Sequence, residues 1–120
     1  MAIDLVIRRG KAVTPLGIVE GDIAITGERI VSVGTSVSSA KHVIDAKGHW
    51  VMPGGVDAHA HIEQMSGMGV MNADTFETAT TSAAMGGTTS VISFAAQAKG
   101  QSLADTLANY SARAKRGAMI

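Results

Sequence analysis

From the N-terminus to about Met52, apolar residues come in short β-branched runs separated by glycine, proline and charged pairs. Such runs, too short for a helical period and bounded by turn residues, read as strands. Ile3-Asp4-Leu5-Val6-Ile7 opens the series; it is interrupted at Arg9-Gly10-Lys11, resumes at Ala12-Val13-Thr14 and turns at Pro15-Leu16-Gly17. Ile18–Ile25 follows, then a hairpin turn at Thr26-Gly27-Glu28-Arg29, then Ile30–Gly34. Val43-Ile44-Asp45 and Trp50-Val51-Met52, with a turn at Ala46–His49, complete the stretch. The pattern predicts a small antiparallel β unit over residues 1–52, with an apolar surface that needs cover.

After Pro53-Gly54-Gly55 the period changes. Val56–His61 reads as a strand leading into a loop, Ile62–Ala73, rich in Met and Gly. Asp74 is the expected N-cap of a helix with Phe76, Ala79, Thr80 and Ala83 on one face, stopping at Gly86-Gly87. Thr88–Phe94 is a β-branched strand. Ser102, with Asp105 three residues on, predicts the start of a second helix carrying a Leu103, Leu107, Tyr110, Ala114 stripe. Arg113, Lys115 and Arg116 suit its last turn, and Gly117 its C-cap. Ala118-Met119-Ile120 is expected to begin a third strand. Strands alternating with crossover helices imply a parallel sheet over residues 53–120.

Composition narrows the function classes. The 120 residues are 46% hydrophobic and 17% charged, which excludes a disordered charged tail. Ten basic against ten acidic residues give no net charge, so a nucleic-acid surface built on bulk positive charge is not expected. No apolar run reaches the ~20 residues needed to span a bilayer, so no membrane partner is expected either. The opening MAIDLVIRRG has its charges after its apolar stretch, the reverse of a signal peptide. There is no Cys, hence no disulfide or thiolate chemistry, and a cytoplasmic location is expected. Glycine, at 14 residues, and an aromatic content of only 3% favour close packing of aliphatic elements around tight turns.

The chemistry concentrates in Pro53-Gly-Gly-Val-Asp-Ala-His-Ala-His61. Residues two apart on a strand face the same way, so His59 and His61 present two imidazoles together at a strand's C-terminal end. That is a grip for one cation, and two neutral imidazoles suit Zn²⁺, Fe²⁺ or Mn²⁺. Asp57 is expected to orient the histidine segment rather than bind metal.

Met52-Pro-Gly-Gly-Val-Asp-Ala-His-Ala-His61 resembles the first barrel strand of the amidohydrolase superfamily. Asp74-Thr-Phe-Glu-Thr and Ala83-Ala-Met-Gly-Gly-Thr-Thr89 resemble the hydantoinase/dihydropyrimidinase branch, as do His61-Ile-Glu-Gln64 and Phe94-Ala-Ala-Gln97. The Gly21-Asp-Ile and Glu28-Arg-Ile pattern is similar to the small β-sandwich of those enzymes. The resemblance implies an α/β fold with an added β domain: a partial β-sandwich (1–52), then the first two βα units of a (β/α)8 TIM barrel (53–120). It implies a binuclear site, usually zinc, with His59 and His61 as two ligands of the first metal. A bridging carboxylated lysine, two further histidines and a proton-carrying aspartate would come from elsewhere in such an enzyme. Metal-bound hydroxide would open a hydantoin or dihydropyrimidine ring to an N-carbamoyl amino acid. A small cyclic amide is thus the expected partner, and a homo-oligomer, commonly a tetramer, the expected assembly.

A barrel of this type takes about 250 residues, so the resemblance places the chain at the N-terminal part of such an enzyme. No catalytic residue is expected within it, and the 120 residues alone are expected to be inactive. Lys99, Lys115 and His42 do not lie in the pattern of the remaining ligands. Allantoinase-like and dihydroorotase-like enzymes, or an inert assembly protein of the same fold, are the alternatives.

The other candidates are given plainer roles. Glu63 and Gln64 are expected in a solvated loop, the alternative being a reach to the substrate mouth, and Met65, Met68 and Met71 either in loop packing or in an apolar pocket. Gly86-Gly87 is a helix stop and not a phosphate loop. His42 and His49 are expected at the surface, and Ser66, Ser93 and Ser102 lack the context of a nucleophile.

Overall fold

The computed structural model describes residues 2–120, in two compact units that divide between Pro53 and Gly54. The first unit is built on β1 (Leu5–Thr14), β2 (Gly17–Thr26), β3 (Arg29–Val33), β4 (His42–Asp45) and β5 (Trp50–Val51). They form one five-stranded sheet in the order β3-β2-β1-β4, with β5 also on β1. The β1–β2 and β2–β3 pairs are antiparallel, as hairpins dictate. β4 and β5 run parallel to β1, against the expectation of an all-antiparallel unit. The long connection after β3 carries the chain back to β1's other edge, and direction is then free to reverse. Among the described residues of this unit there is a single sheet, without the second layer of a sandwich.

The expected interruption at Arg9-Gly10 is a bulge inside one long strand. Register shifts between Ile7 and Gly10, and Arg9 takes a φ of 54°. Arg9 N–H donates to Asp22 Oδ1 at 3.4 Å, and the other oxygen of Asp22 accepts from Val37 N–H at 3.0 Å. A bulge of this kind bends the strand without ending its pairing. At Gly21, with φ +134°, a Cβ would stand 2.9 Å from the Gly34 carbonyl oxygen, so the close backbone approach requires glycine. Val6, Ala12, Ile23 and Ala24 are buried.

The second unit opens with β6 (Gly55–Ala60), which pairs in parallel with β7 (Thr88–Ser93). α1 (Phe76–Met85) joins them, and α2 (Leu103–Gly117) follows. Strand, crossover helix and parallel strand make this an α/β arrangement. The N-cap of α1 is Thr75 and not Asp74: Thr75 accepts from Thr78 N–H, and the Thr78 hydroxyl accepts from Thr75 N–H at 3.0 Å. Thr78 Oγ1 in turn donates to Asp74 Oδ1 at 2.9 Å, which gives Asp74 a supporting place one residue outside the cap. Ser102 caps α2 as expected, accepting from Asp105 N–H. The helix runs through Gly117 and is capped by Ala118. Its stripe is buried only in part, for Tyr110 is covered while Leu103 and Leu107 are exposed.

The core of this unit is Ala60, Ile62, Phe76 and Tyr110, with Ala79, Val91, Ala95 and Ala114 packed around it. Ala118–Ile120, expected to begin a third strand, carry no ladder among the described residues. Instead Met119 N–H donates to Thr80 Oγ1 at 2.9 Å.

Candidate metal centre

His59 lies near the end of β6 and His61 just beyond it, with buried Ala60 between them. The ladder carries an irregularity between Asp57 and Ala60, where β6 spends one more residue than β7. Such a bulge re-aims side chains at a strand end. The outcome is convergence: His59 Nε2 and His61 Nε2 stand 3.2 Å apart. Two imidazoles on a tetrahedral zinc, each about 2.0–2.1 Å from it, hold their nitrogens about 3.3–3.4 Å apart. The pair therefore fits a shared cation as two of its ligands.

What surrounds the pair fixes it. Asp57 Oδ1 accepts from His59 N–H at 3.0 Å, so this carboxylate holds the histidine's backbone and not its ring. Phe94, just past β7, lies 4.5 Å from the His59 ring and 5.3 Å from the His61 ring, stacked on the latter at 14°. An aromatic face there restricts ring rotation and shields one side of the imidazoles. Among the described residues no third His, Cys, Asp or Glu joins the pair.

The segment after His61 is bound far more tightly than a solvated loop. Glu63 adopts a left-handed φ of 48°, a conformation a β-carbon disfavours and one that needs surrounding support. Its neighbours supply that support: Glu63 Oε2 accepts from Phe76 N–H at 3.0 Å, filling a free donor at the start of α1. Arg113 donates to the Glu63 carbonyl at 2.9 Å, and the buried Tyr110 hydroxyl donates to the Ile62 carbonyl at 2.6 Å. Ser93 Oγ, at the end of β7, lies 2.6 Å from Tyr110 Oη and 3.0 Å from the Ala60 carbonyl oxygen.

The kink at Glu63 turns Gln64 back under His61. Gln64 is only 6% exposed, and its Nε2 is 3.1 Å from His61 Nδ1. Gln64 N–H donates to Asn72 Oδ1 and Asn72 N–H to the Gln64 carbonyl. Beyond it, Met65 bridges Met71 across a turn at Gly69, and Met65, Met68 and Met71 are exposed. A cavity of about 750 Å³ opens between this loop, residues 96–102 and one face of α2, with Gln64, Met65 and Met71 in its wall.

Other sequence candidates stay apart from the pair. His42 is exposed, and His49 Nδ1 is engaged with the Ala46 carbonyl at 2.8 Å in the first unit. Gln97 donates to the Gln101 carbonyl and stiffens the loop before α2. Tyr110, Arg113 and Phe94 were not legible in the sequence as parts of the site, because they touch it across 33 to 50 residues of chain. A polar hydroxyl on the apolar stripe of α2 was the one local signal for Tyr110.

Comparison with known proteins places these features in context. The model of the family described as "Amidohydrolase family" matches residues 42–120. A D-hydantoinase from Ralstonia pickettii is 41% identical over 111 residues, covering 92% of this chain and 24% of that protein. An allantoinase from Salmonella newport is 39% identical over 92 residues, 77% of this chain and 20% of that protein. In three dimensions, the D-hydantoinase of Bacillus sp. AR9 matches with a TM-score of 0.89 at 39% identity, over 98% of this chain and 25% of that one. The chain spans about a quarter of the length of the D-hydantoinases it matches.

Proposed function

We propose, from the premise that this chain belongs to the amidohydrolase family, that it forms part of a metal-dependent cyclic-amide hydrolase of the hydantoinase/dihydropyrimidinase type. His59 and His61 hold one metal, zinc in first place and manganese or iron in second. The observation that carries this reading is the 3.2 Å separation of the two Nε2 atoms at the end of β6. Likeness to D-hydantoinases at about 40% identity supports the reaction class.

A zinc ion in such a site supplies a Lewis acid that polarises a ring carbonyl and makes water a nucleophile near neutral pH. The chain's own residues hold and orient. Asp57 sets the backbone of His59, and Phe94 limits the rings and keeps water from one face of them. The Glu63 kink, pinned by Tyr110 and Arg113, fixes where the Met65–Met71 loop stands. With the metal's other ligands and the proton carrier supplied elsewhere in such an enzyme, the reaction is ring opening of a hydantoin or dihydropyrimidine to an N-carbamoyl amino acid. The barrel and a homo-oligomeric assembly belong to the same proposal.

The protein containing this chain is expected to open 5-substituted hydantoins and dihydrouracil in preference to allantoin and dihydroorotate. A clear preference for allantoin would transfer the reading to the allantoinases, which the match to the Salmonella protein favours as the second choice. The His59→Ala/His61→Ala pair is expected to strip bound metal. Unchanged metal content, measured by elemental analysis, would remove both histidines from the site.

A further inference from the structure

The two ends of the buried Gln64 amide differ in their surroundings. Its Nε2 lies 3.1 Å from His61 Nδ1, while its Oε1 is buried with no hydrogen-bond partner among the described residues. A buried amide oxygen without a partner is uncommon in native proteins and calls for an explanation. Nothing loose accounts for it, since the backbone of Gln64 is clamped to Asn72 on both sides and follows the pinned kink at Glu63.

We propose that Gln64 is a positioning residue that sets the tautomer of His61. As the structure stands, Nε2–H of the amide donates to Nδ1 of His61. That leaves the proton of the neutral ring on Nε2, from which it reaches His59 Nε2 at 3.2 Å. In this arrangement His61 cannot offer Nε2 as a ligand. A half-turn of the amide about Cγ–Cδ places Oε1 against Nδ1 instead. Oε1 then accepts from Nδ1–H, the ring proton moves to that side, and Nε2 is freed for a cation. One rotation turns the acceptor end of the amide to the ring and its NH2 end away from it, and converts a hydrogen-bonded histidine pair into a ligand pair. The second nitrogen of a metal-bound histidine is ordinarily held by an acceptor, which fixes the ring and raises its basicity. Gln64, at 94% burial, is the group in reach of that nitrogen.

The inference rests on the metal reading of His59 and His61, and its test separates the two. Imidazole nitrogens are followed by long-range proton–nitrogen correlation in histidine-labelled protein at mildly alkaline pH, with and without Zn²⁺. Zinc affinity is measured by competition with a chromophoric chelator. In the metal-free protein His61 is expected as the Nε2–H tautomer, and with zinc as the Nδ1–H tautomer. Gln64→Glu can only accept while ionised, so it is expected to put a proton on Nδ1 before any metal is added and to keep zinc affinity. Gln64→Met, of similar length and without the amide, is expected to lose the tautomer preference and weaken zinc binding about 10–100-fold. Wild-type tautomer and affinity in Gln64→Met, or an unchanged tautomer in metal-free Gln64→Glu, would overturn the role of Gln64. Zinc binding unchanged by His59→Ala would overturn the metal reading alone, because the metal-free spectra still report on Gln64.

Discussion

The two units of the chain are held together in different ways. In Met1–Pro53 the order comes from continuous ladders: ten-residue β1 pairs with β2 on one side and with β4 and β5 on the other. Its side chains add three ion pairs on exposed ground, Arg9 with Asp45, Lys11 with Glu20 and Lys41 with Asp4, and backbone bonds such as the two that Asp22 accepts. In Gly54–Ile120 the sheet is two strands, and the work passes to point fastenings between side chains and distant backbone, Tyr110 to Ile62, Arg113 to Glu63 and Thr80 to Met119. Ladders fix a surface to the nearest strand spacing. Point fastenings fix single groups, which is what two converging imidazoles require.

The contrast can be broken at its strongest point first. Phe76 is 3% exposed at the centre of the second unit's core, and Phe76→Ala is expected to cost about 3–5 kcal/mol. Hydrogen exchange of α1 and β7 amides would read it, and a loss below 1 kcal/mol would mean that this core does not carry the unit. A smaller effect is expected from Tyr110→Phe, which removes one oxygen and leaves the Ile62 carbonyl without its donor. About 1–3 kcal/mol should follow, together with broadening of the His59 and His61 ring signals as the kink loosens. A variant as stable as the parent, with unchanged ring signals, would show that the hydroxyl fastens nothing.

The smallest effect lies in the first unit and tests the other half of the comparison. The ammonium of Lys41 beside Asp4, with the Gly27 N–H as a second donor, holds the Asp4 carboxyl below its ordinary 3.8. A carboxyl lowered in the folded state stabilises fully above its unfolded value, and that contribution is lost as pH falls through the folded value. Wild type is therefore expected to exceed Asp4→Asn slightly near neutrality, with the gap closing below pH 3.8. Denaturation curves at several pH values would check it. A gap that widens in acid would reverse the sign and refute the assignment, and a large one would contradict the weakness expected of exposed pairs.

How far the sequence could be read depended on how local each cause was. The strands of the first unit were legible because β-branched runs and glycine turns act on their own neighbours. The parallel course of β4 and β5 was not, since nothing in Val43-Ile44-Asp45 encodes the direction of its partner. Arg9-Gly10 looked like a stop because charge and glycine usually end strands, yet Asp22 supplies the groups that let β1 bend and continue. Asp74 and Thr75 are both good capping residues, and only the reciprocal bond with Thr78 chooses between them. The spacing of His59-Ala60-His61 announced a pair on one face, and the irregularity in β6 brings their ring nitrogens together. The segment behind it, read as a solvated loop, is fastened because Glu63 caps α1 and α2 reaches back to it.

The bond from Arg113 to the Glu63 carbonyl has a practical consequence for anyone wishing to move this site into another scaffold. The portable piece is not the short strand that bears the histidines. A graft cut at residue 65 would carry the kink without the guanidinium that holds its carbonyl, and would relax toward an ordinary turn. The smallest transplant that preserves the geometry runs from Gly54 to beyond Arg113, so the site comes with its own building or it does not come at all.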